Sequence, residues 1–504
     1  MSDPAAAPAG ARPSLLHHPA GLRTLFFTEM CERFSYYGMR ALLVLFMVEA
    51  IADGGLGLSD ATATAIYGLY TAAVYAVALP GGWIADRLLG AQRAIWYGGI
   101  VIMLGHFTLA IPSVTAFFLG LLLIIVGTGL LKPNISAVVG ALYAEDDPRR
   151  DSGFTLFYIG INIGAAVAPF VCSTLGESDL FGWHYGFAAA GVGMACGLAY
   201  FRHTRHRLGE AGLYPSNRGT TPAERASLRR GWLAVGAVAT AGVALAGAML
   251  AGAIAVDVVT LASYAAVGIM AYAGLYIGWL VFFGGLTPVE RGRVLAIFVL
   301  SMAAVMFWSG FEQAGSTLNL FAERYTNRVI GSFEIPAGWF QGLNAVFIVL
   351  LAPAFAAAWV ALASRNREPS TPAKFAIGLV TLALGFTVLI PAAGFVAGGD
   401  RVLPTWLITT YLLHTIGELT LSPVGLSVTT KLAPRRYVGQ MMGVWFLTSA
   451  LGNLLAGLTA GRFDAEALGD MPGLYLQIVL MTGGTGLLLL LCLRPIRRLM
   501  GGIH

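Results

Sequence analysis

Charge is scarce in this sequence: 11% of its 504 residues are Asp, Glu, Lys or Arg, against 57% that are hydrophobic. An ordinary soluble domain carries about 25% charged residues, so the shortage excludes a water-soluble fold and points to apolar runs held in lipid. Cysteine is scarcer. Cys31, Cys172, Cys196 and Cys492 fall within or beside apolar stretches without close ligand or disulfide spacing, which sets aside a disulfide scaffold and leaves small buried residues. No metal-ligand cluster, nucleophile triad or phosphate loop is legible, so an enzyme is not expected, and neither is a metal or organic cofactor. The amino terminus is polar and proline-rich and lacks the short apolar core of a cleavable signal, so the first hydrophobic segment reads as a retained span.

What is present is a succession of apolar segments near 25–50, 61–85, 94–111, 116–142, 153–175 and 183–201, then a charged stretch at 202–230. Eight more follow near 231–255, 261–284, 294–320, 338–362, 373–395, 403–430, 438–460 and 472–493. The fold class is therefore an all-α polytopic membrane protein with fourteen transmembrane helices. Of the 31 basic residues, 24 lie in the terminal tails and one alternate set of loops, and four (Arg324, Arg328, Arg401 and Arg462) lie in the other. By the positive-inside rule both termini are cytoplasmic. The net charge of +5 is thus a topology signal, and no nucleic-acid partner is expected.

Spans seven and eight are rich in Ala, Gly and Val and offer almost no polar groups, so they read as peripheral. Without them the chain is six plus six, the plan of a transporter built from two parallel halves. The expected organisation is a cytoplasmic tail (1–22), a six-helix bundle (23–201), a cytoplasmic linker (202–230), two additional helices (231–284), a second six-helix bundle (285–493) and a tail (494–504).

Three basic residues remain inside spans, Arg33, Arg40 and Lys132, together with Glu29, Glu32, Glu312 and Glu418. An ionisable group in the hydrocarbon region costs a few kcal/mol by insertion scales and usually faces a bundle interior or watery cavity. Positions 29, 32, 33, 36, 37 and 40 share a helix face by i+3 and i+4 steps, which a proton or substrate path explains better than a structural ion pair. Pro133 should bend the fourth span near Lys132. Span five offers Phe154, Phe157, Tyr158 and Asn162, and span two offers Tyr67, Tyr70 and Tyr75. The later spans offer Trp308, Gln313, Asn319, Trp339, Gln341, Asn344, Ser422 and Trp445. Cations dominate the amino half and carboxylates the carboxyl half. A zwitterion with opposite poles fits such a cavity better than a sugar or simple anion.

The run Glu29-x-x-Glu32-Arg33-Phe34 with Tyr36-Tyr37-Gly38, together with Phe154-Thr155-Leu156-Phe157-Tyr158-Ile159-Gly160-Ile161-Asn162, resembles the signatures of bacterial proton-coupled oligopeptide transporters, the peptide branch of the major facilitator superfamily. The stretch 82–93, with Asp86, Arg87 and Arg93, looks like the superfamily's conformational loop motif. The resemblance covers residues 22–498. It implies import of dipeptides and tripeptides with protons by alternating access, in the bacterial inner membrane, by a functional monomer surrounded by lipid. Glu29, Glu32, Arg33 and Glu312 would then couple protons. Tyr37, Arg40, Tyr70, Lys132, Tyr158 and Asn162 would surround the peptide carboxylate, Asn344, Glu418 and Ser422 its amino terminus, and Trp308 and Trp445 its side chains. Arg40 with Glu312 and Lys132 with Glu418 look like ion pairs between the halves. Animal relatives carry a histidine in the second helix, whereas residues 61–80 here have none, so coupling is expected from carboxylates. His106 and His414 read as hydrogen-bonded packing residues. Histidine, nitrate or a peptide-like drug is the alternative cargo on the same fold.

Overall fold

A computed structural model describes residues 18–144, 147, 149–250, 256–462 and 468–502. Residues 1–17 of the expected amino-terminal tail and 251–255 at the end of the seventh segment lie outside that description. The helices are α1 (Ala20–Val48), α2 (Asp60–Ala76), α3 (Ala78–Ile84), α4 (Ala91–Leu109), α5 (Val114–Ala141), α6 (Arg150–Gly176), α7 (Trp183–Thr204), α8 (Pro222–Leu250) and α9 (Val258–Phe283). They continue as α10 (Pro288–Phe311), α11 (Thr317–Tyr325), α12 (Trp339–Ser364), α13 (Thr371–Ala397), α14 (Thr405–Leu432), α15 (Val438–Ala460), α16 (Met471–Leu491) and α17 (Leu493–Leu499). A helix overlaps each of the fourteen apolar segments, and among the described residues nine helical stretches are long and apolar enough to cross a membrane. A short antiparallel hairpin, β1 (Val329–Ile330) with β2 (Phe333–Glu334), precedes α12.

Local sequence sets these starts and stops. Thr287, Pro288 and Glu290 open α10 with a reciprocal capping box, in which the Thr287 hydroxyl accepts from the Glu290 N–H and the Glu290 carboxylate accepts from Thr287. Asp257 caps α9 by accepting from the N–H groups of Val259 and Thr260. Two expected spans are interrupted. The second continues from α2 through α3 into a π-helical turn at Ala85–Leu89 that ends at Gly90, φ +83°. The ninth breaks after Phe311 into a 3-10 turn, Glu312–Gly315, and restarts at Thr317. Close approach fixes that break, because a Cβ on Gly315 would lie 2.1 Å from the Tyr67 hydroxyl. Gln313 also turns its side chain to the carbonyls of Ser309 and Ala456.

Contacts divide the chain into two units that cut across chain order. The first holds residues 1–39, 77–168 and 187–255, and the second 40–76, 169–186 and 256–504. The first unit packs around Leu25, Ile102, Leu131, Ile135, Phe157 and Phe201. A close seam runs between α4 and α5, where facing glycines replace side chains. A Cβ on Gly98 would lie 2.7 Å from the Gly127 carbonyl, and one on Gly127 2.6 Å from that of Gly98. Pro133 leaves the carbonyl of Gly129 without its helical donor, and a Cβ at Gly81 would lie 1.8 Å from that oxygen. Gly81→Ala must therefore push α3 off α5. We expect a loss of about 3 kcal/mol, the upper range for overpacking, read as a lower unfolding temperature in detergent. Gly236→Ala, with nothing within 4 Å of the new Cβ, should leave it unchanged.

In the second unit α2 and α15 cross at Gly68 and Gly457, and α9 adds Ala262 and Ala266 to a cluster with Ala65, Ala72, Val305 and Leu454. The two expected additional helices thus belong to different units: α8 to the first, α9 to the second.

Candidate functional site

In the first unit α1 carries a compact ionic cluster. Arg33 Nε lies 3.2 Å from Glu29 Oε1, one helical turn away, and donates to Glu32 Oε2. All three side chains are at least 95% buried. The guanidinium also sits 5.3 Å from the Tyr36 ring centroid, and Tyr36 meets Tyr37 edge to face. Glu29 Oε2, Glu32 Oε1 and Arg33 Nη2 are buried without a hydrogen-bond partner among the described residues. Two carboxylates thus share one guanidinium, and Lys132 on α5 is near enough to act on Glu29 electrostatically. On α6, Asn162 is buried and donates to the Tyr158 carbonyl, while Tyr158 is exposed at 42%. Phe154 and Phe157 belong to the apolar core of this unit instead of lining a polar space.

Asp86, Arg87 and Arg93 sit at the π-helical turn and the start of α4. Among the described residues they form no ion pair; the Asp86 carbonyl instead accepts from the Ser216 N–H and hydroxyl, tying the turn to the linker. His106 is buried with both ring nitrogens unpartnered among the described residues, so it is a packing residue without the expected hydrogen bond.

In the second unit, Arg40 is the hub. Its Nη2 lies 2.7 Å from Glu312 Oε2, and its Nε donates to the Tyr67 hydroxyl at 2.7 Å. That hydroxyl lies 3.5 Å from the same carboxylate oxygen. The break in the ninth span puts Glu312 where α10 passes into the 3-10 turn, beside Tyr67. Nearby, Asn344 on α12 donates to Glu418 Oε2 at 2.9 Å and reaches the Thr415 hydroxyl at 3.1 Å. Glu418 experiences the charges of both Glu312 and Arg40. Arg40, Tyr67, Glu312, Asn344, Thr415 and Glu418 therefore form one polar group within this unit.

The remaining candidates lie around these groups in the same unit. Trp308 stacks edge-on against Phe307 and Phe311, with its indole N–H buried and unpartnered among the described residues. Trp445 is buried against Phe375 and directly over Gly425, whose Cβ would lie 2.1 Å from the indole. Ser422 is half-buried one turn beyond Glu418, and Tyr70 is buried on α2. Asn319 and Gln341 both donate to the Ala41 carbonyl and are structural ties. Thr415 escaped the sequence analysis, and Tyr67, offered there with Tyr70 and Tyr75, was given no role of its own. The available signal was spacing: Tyr67 lies three residues before Tyr70, and Thr415 three before Glu418. No group of three or more His, Cys, Asp or Glu among the described residues could hold a metal ion.

Solved structures share this architecture. A crystal structure of a peptide transporter POT in complex with sulfate matches with a TM-score of 0.88 at 42% identity, covering 97% of each chain. A POT family transporter in complex with 5-aminolevulinic acid matches with a TM-score of 0.86 at 32% identity, covering 96% of this chain and 98% of that one. The fold is that of a multi-pass helical membrane transporter of the major facilitator type, not of an enzyme. In sequence, the chain is 44% identical over 494 residues to the peptide transporter YePEPT of Yersinia enterocolitica subsp. palearctica, covering 96% of this chain and 95% of that protein. It is 37% identical over 507 residues to a di-/tripeptide transporter of Lactococcus lactis subsp. cremoris, covering 96% and 97%. The profile described as the POT family matches residues 92–471, and the chain belongs to that family.

Proposed function

We propose that this protein is a proton-coupled symporter that imports dipeptides and tripeptides across the bacterial inner membrane by alternating access, with both termini cytoplasmic. The observation that carries the reading is the pairing of Arg40 with Glu312 at a broken helix, beside Tyr67 and the Asn344–Glu418 bond. A guanidinium is an always-charged, bidentate partner for a peptide carboxylate, and a buried carboxylate can exchange its ion pair for a proton. The names of the relatives support peptides as cargo.

The residues divide the work as follows. Glu29, Glu32 and Arg33 carry one formal negative charge among three buried groups, which a proton or the ammonium of Lys132 neutralises. Protonation of Glu312 frees Arg40 to take the peptide carboxylate, with Tyr37, Tyr70, Lys132, Tyr158 and Asn162 completing that pole. Glu418, held by Asn344 and neighboured by Ser422, takes the peptide ammonium, while Trp308 and Trp445 border its side chains. Lys132 and Glu418 pair between the halves when the cavity is empty. Asp86, Arg87 and Arg93 brace the cytoplasmic turn in one conformation. The six-plus-six organisation with two additional helices, fourteen crossings in all, and a functional monomer in lipid belong to the same reading.

Competition in counterflow separates this cargo from its alternatives. In liposomes loaded with an unlabelled dipeptide, external dipeptides and tripeptides should block entry of the labelled dipeptide. Free amino acids, histidine included, and nitrate should not; inhibition by histidine or nitrate instead of peptides would assign the alternative cargo.

A further inference from the structure

On the side of the membrane expected to face the periplasm, the second unit contains a joint that the transport site does not include. Glu177 follows the last turn of α6, and its two carboxylate oxygens accept from successive backbone N–H groups: Oε2 from Ala337 at 2.6 Å and Oε1 from Gly338 at 2.9 Å. These N–H groups open α12, whose amino-terminal dipole favours an anion there. The approach is tight. A Cβ on Gly338 would lie 2.0 Å from the Ser173 hydroxyl and 3.1 Å from Glu177 Oε1. Around this bond, the Trp339 indole N–H donates to the Thr174 hydroxyl at 3.0 Å, and its ring meets Phe170 edge to face at 5.1 Å. The last turns of α6 are thus fitted to the first turn of α12.

We propose that Glu177 is a positioning residue that clasps the start of α12 and holds the periplasmic side closed, a contact that must part each time that side opens. The proposal rests on the alternating-access reading above. Every charged group facing the clasp bears on its strength. Arg328, before the hairpin, lies 3.9 Å from Glu177 and is shared with Glu323 on α11 and Glu334 on β2, each at 3.0 Å. Glu49, beyond α1, and Asp179, beyond α6, line the same cavity of about 580 Å³. Arg324, paired with Asp60 at 2.6 Å, also acts on Glu323, and among the residues lining the cavity one guanidinium stands among five carboxylates.

This crowding makes closure respond to acid, and the sign follows from linkage. In the closed arrangement burial pushes the Glu177 carboxyl up to about 7, with Glu323 adding to the rise, against the lowering effect of the Gly338 and Ala337 N–H groups and of Arg328. Once opened into water, the same group returns to an ordinary value near ~4.3. The closed state then binds the proton more tightly, so its advantage is fully present below the open-state value and is lost as external pH rises through about 7. Protonated Glu177 keeps its carbonyl oxygen as acceptor for one of the two N–H groups and is spared the cost of burying a charge.

The test uses the full chain in nanodiscs with its four native cysteines replaced. Spin labels on Leu180→Cys and Ile330→Cys, two exposed positions beside the clasp, report opening as a longer distance. Between about pH 5.5 and about pH 8 the closed-to-open ratio of the wild type should fall by roughly thirtyfold more than that of Glu177→Gln. Gly338→Ala leaves the carboxyl in the chain but displaces it, and should raise the open population at both pH values while flattening the pH response. If Glu177→Gln and Gly338→Ala both match the wild type at both pH values, the clasp is overturned. Peptide counterflow by the same preparations reports the transport reading separately: intact counterflow with unchanged distances sinks the clasp alone, and absent counterflow with the expected distances sinks the transport reading alone.

Discussion

Glu312→Gln will abolish gradient-driven accumulation of peptide while leaving peptide exchange largely intact. In the structure the Glu312 carboxylate neutralises Arg40 at 2.7 Å and shares the Tyr67 hydroxyl with it. The amide keeps the volume and one hydrogen-bond acceptor but cannot take up or release the proton that alternates with Arg40. One proton moving through a potential of about 100 mV supplies ~2.3 kcal/mol, equivalent to about fiftyfold accumulation, and the variant should lower this ratio to about one. Exchange needs only binding and reorientation, so counterflow at zero gradient should continue. Equal loss of both activities would place Glu312 in binding or folding instead of coupling.

Arg40→Ala should be more damaging, because it removes the anchor for the peptide carboxylate and strands Glu312. Glu312 is 5% exposed, and a buried carboxylate deprived of its partner costs about 3–5 kcal/mol. Uptake and exchange should both vanish, and the unfolding temperature should drop. The paired replacement Arg40→Leu with Glu312→Leu removes both charges together and should recover most of the stability without recovering either activity. Stability and transport that recover together would show that the pair is a structural bridge with no part in binding. Arg40→Lys retains charge but not the planar fork that reaches Tyr67 and Glu312 together, so it should fold and bind peptide poorly.

The sequence revealed most where hydropathy and charge act locally. A helix overlaps every apolar segment, and the stripe of Glu29, Glu32 and Arg33 could be read from i+3 and i+4 spacing because all three sit on one helix. The break at Glu312 left a weaker trace. The stretch Glu312–Thr317, Glu-Gln-Ala-Gly-Ser-Thr, is more polar than its flanks, but polarity alone does not separate a site residue from a helix break, and the approach of Tyr67 to Gly315 comes from another helix. Tyr67 shows the same limit from the other side: spacing singles out a tyrosine stripe on α2 but not which phenol reaches Arg40. Glu177 was invisible for a stronger reason. Its partners are backbone N–H groups 160 and 161 positions away, which carry no residue-type signature at all. In the stretch 82–93 the structure shows a backbone tie from the Asp86 carbonyl to Ser216, which no charged side chain announces. Charges within one helix can be read from spacing, whereas joints between distant segments depend on packing that only the fold supplies.

The central claim is that peptide and proton move together. It is tested most directly in liposomes containing the purified protein and a trapped pH indicator, with the pH gradient and the membrane potential set independently. A dipeptide added outside should acidify the lumen when there is no pH gradient, the rate should rise as the interior is made more negative, and Glu312→Gln should show no such signal. Peptide entry without acidification at any voltage would contradict the account.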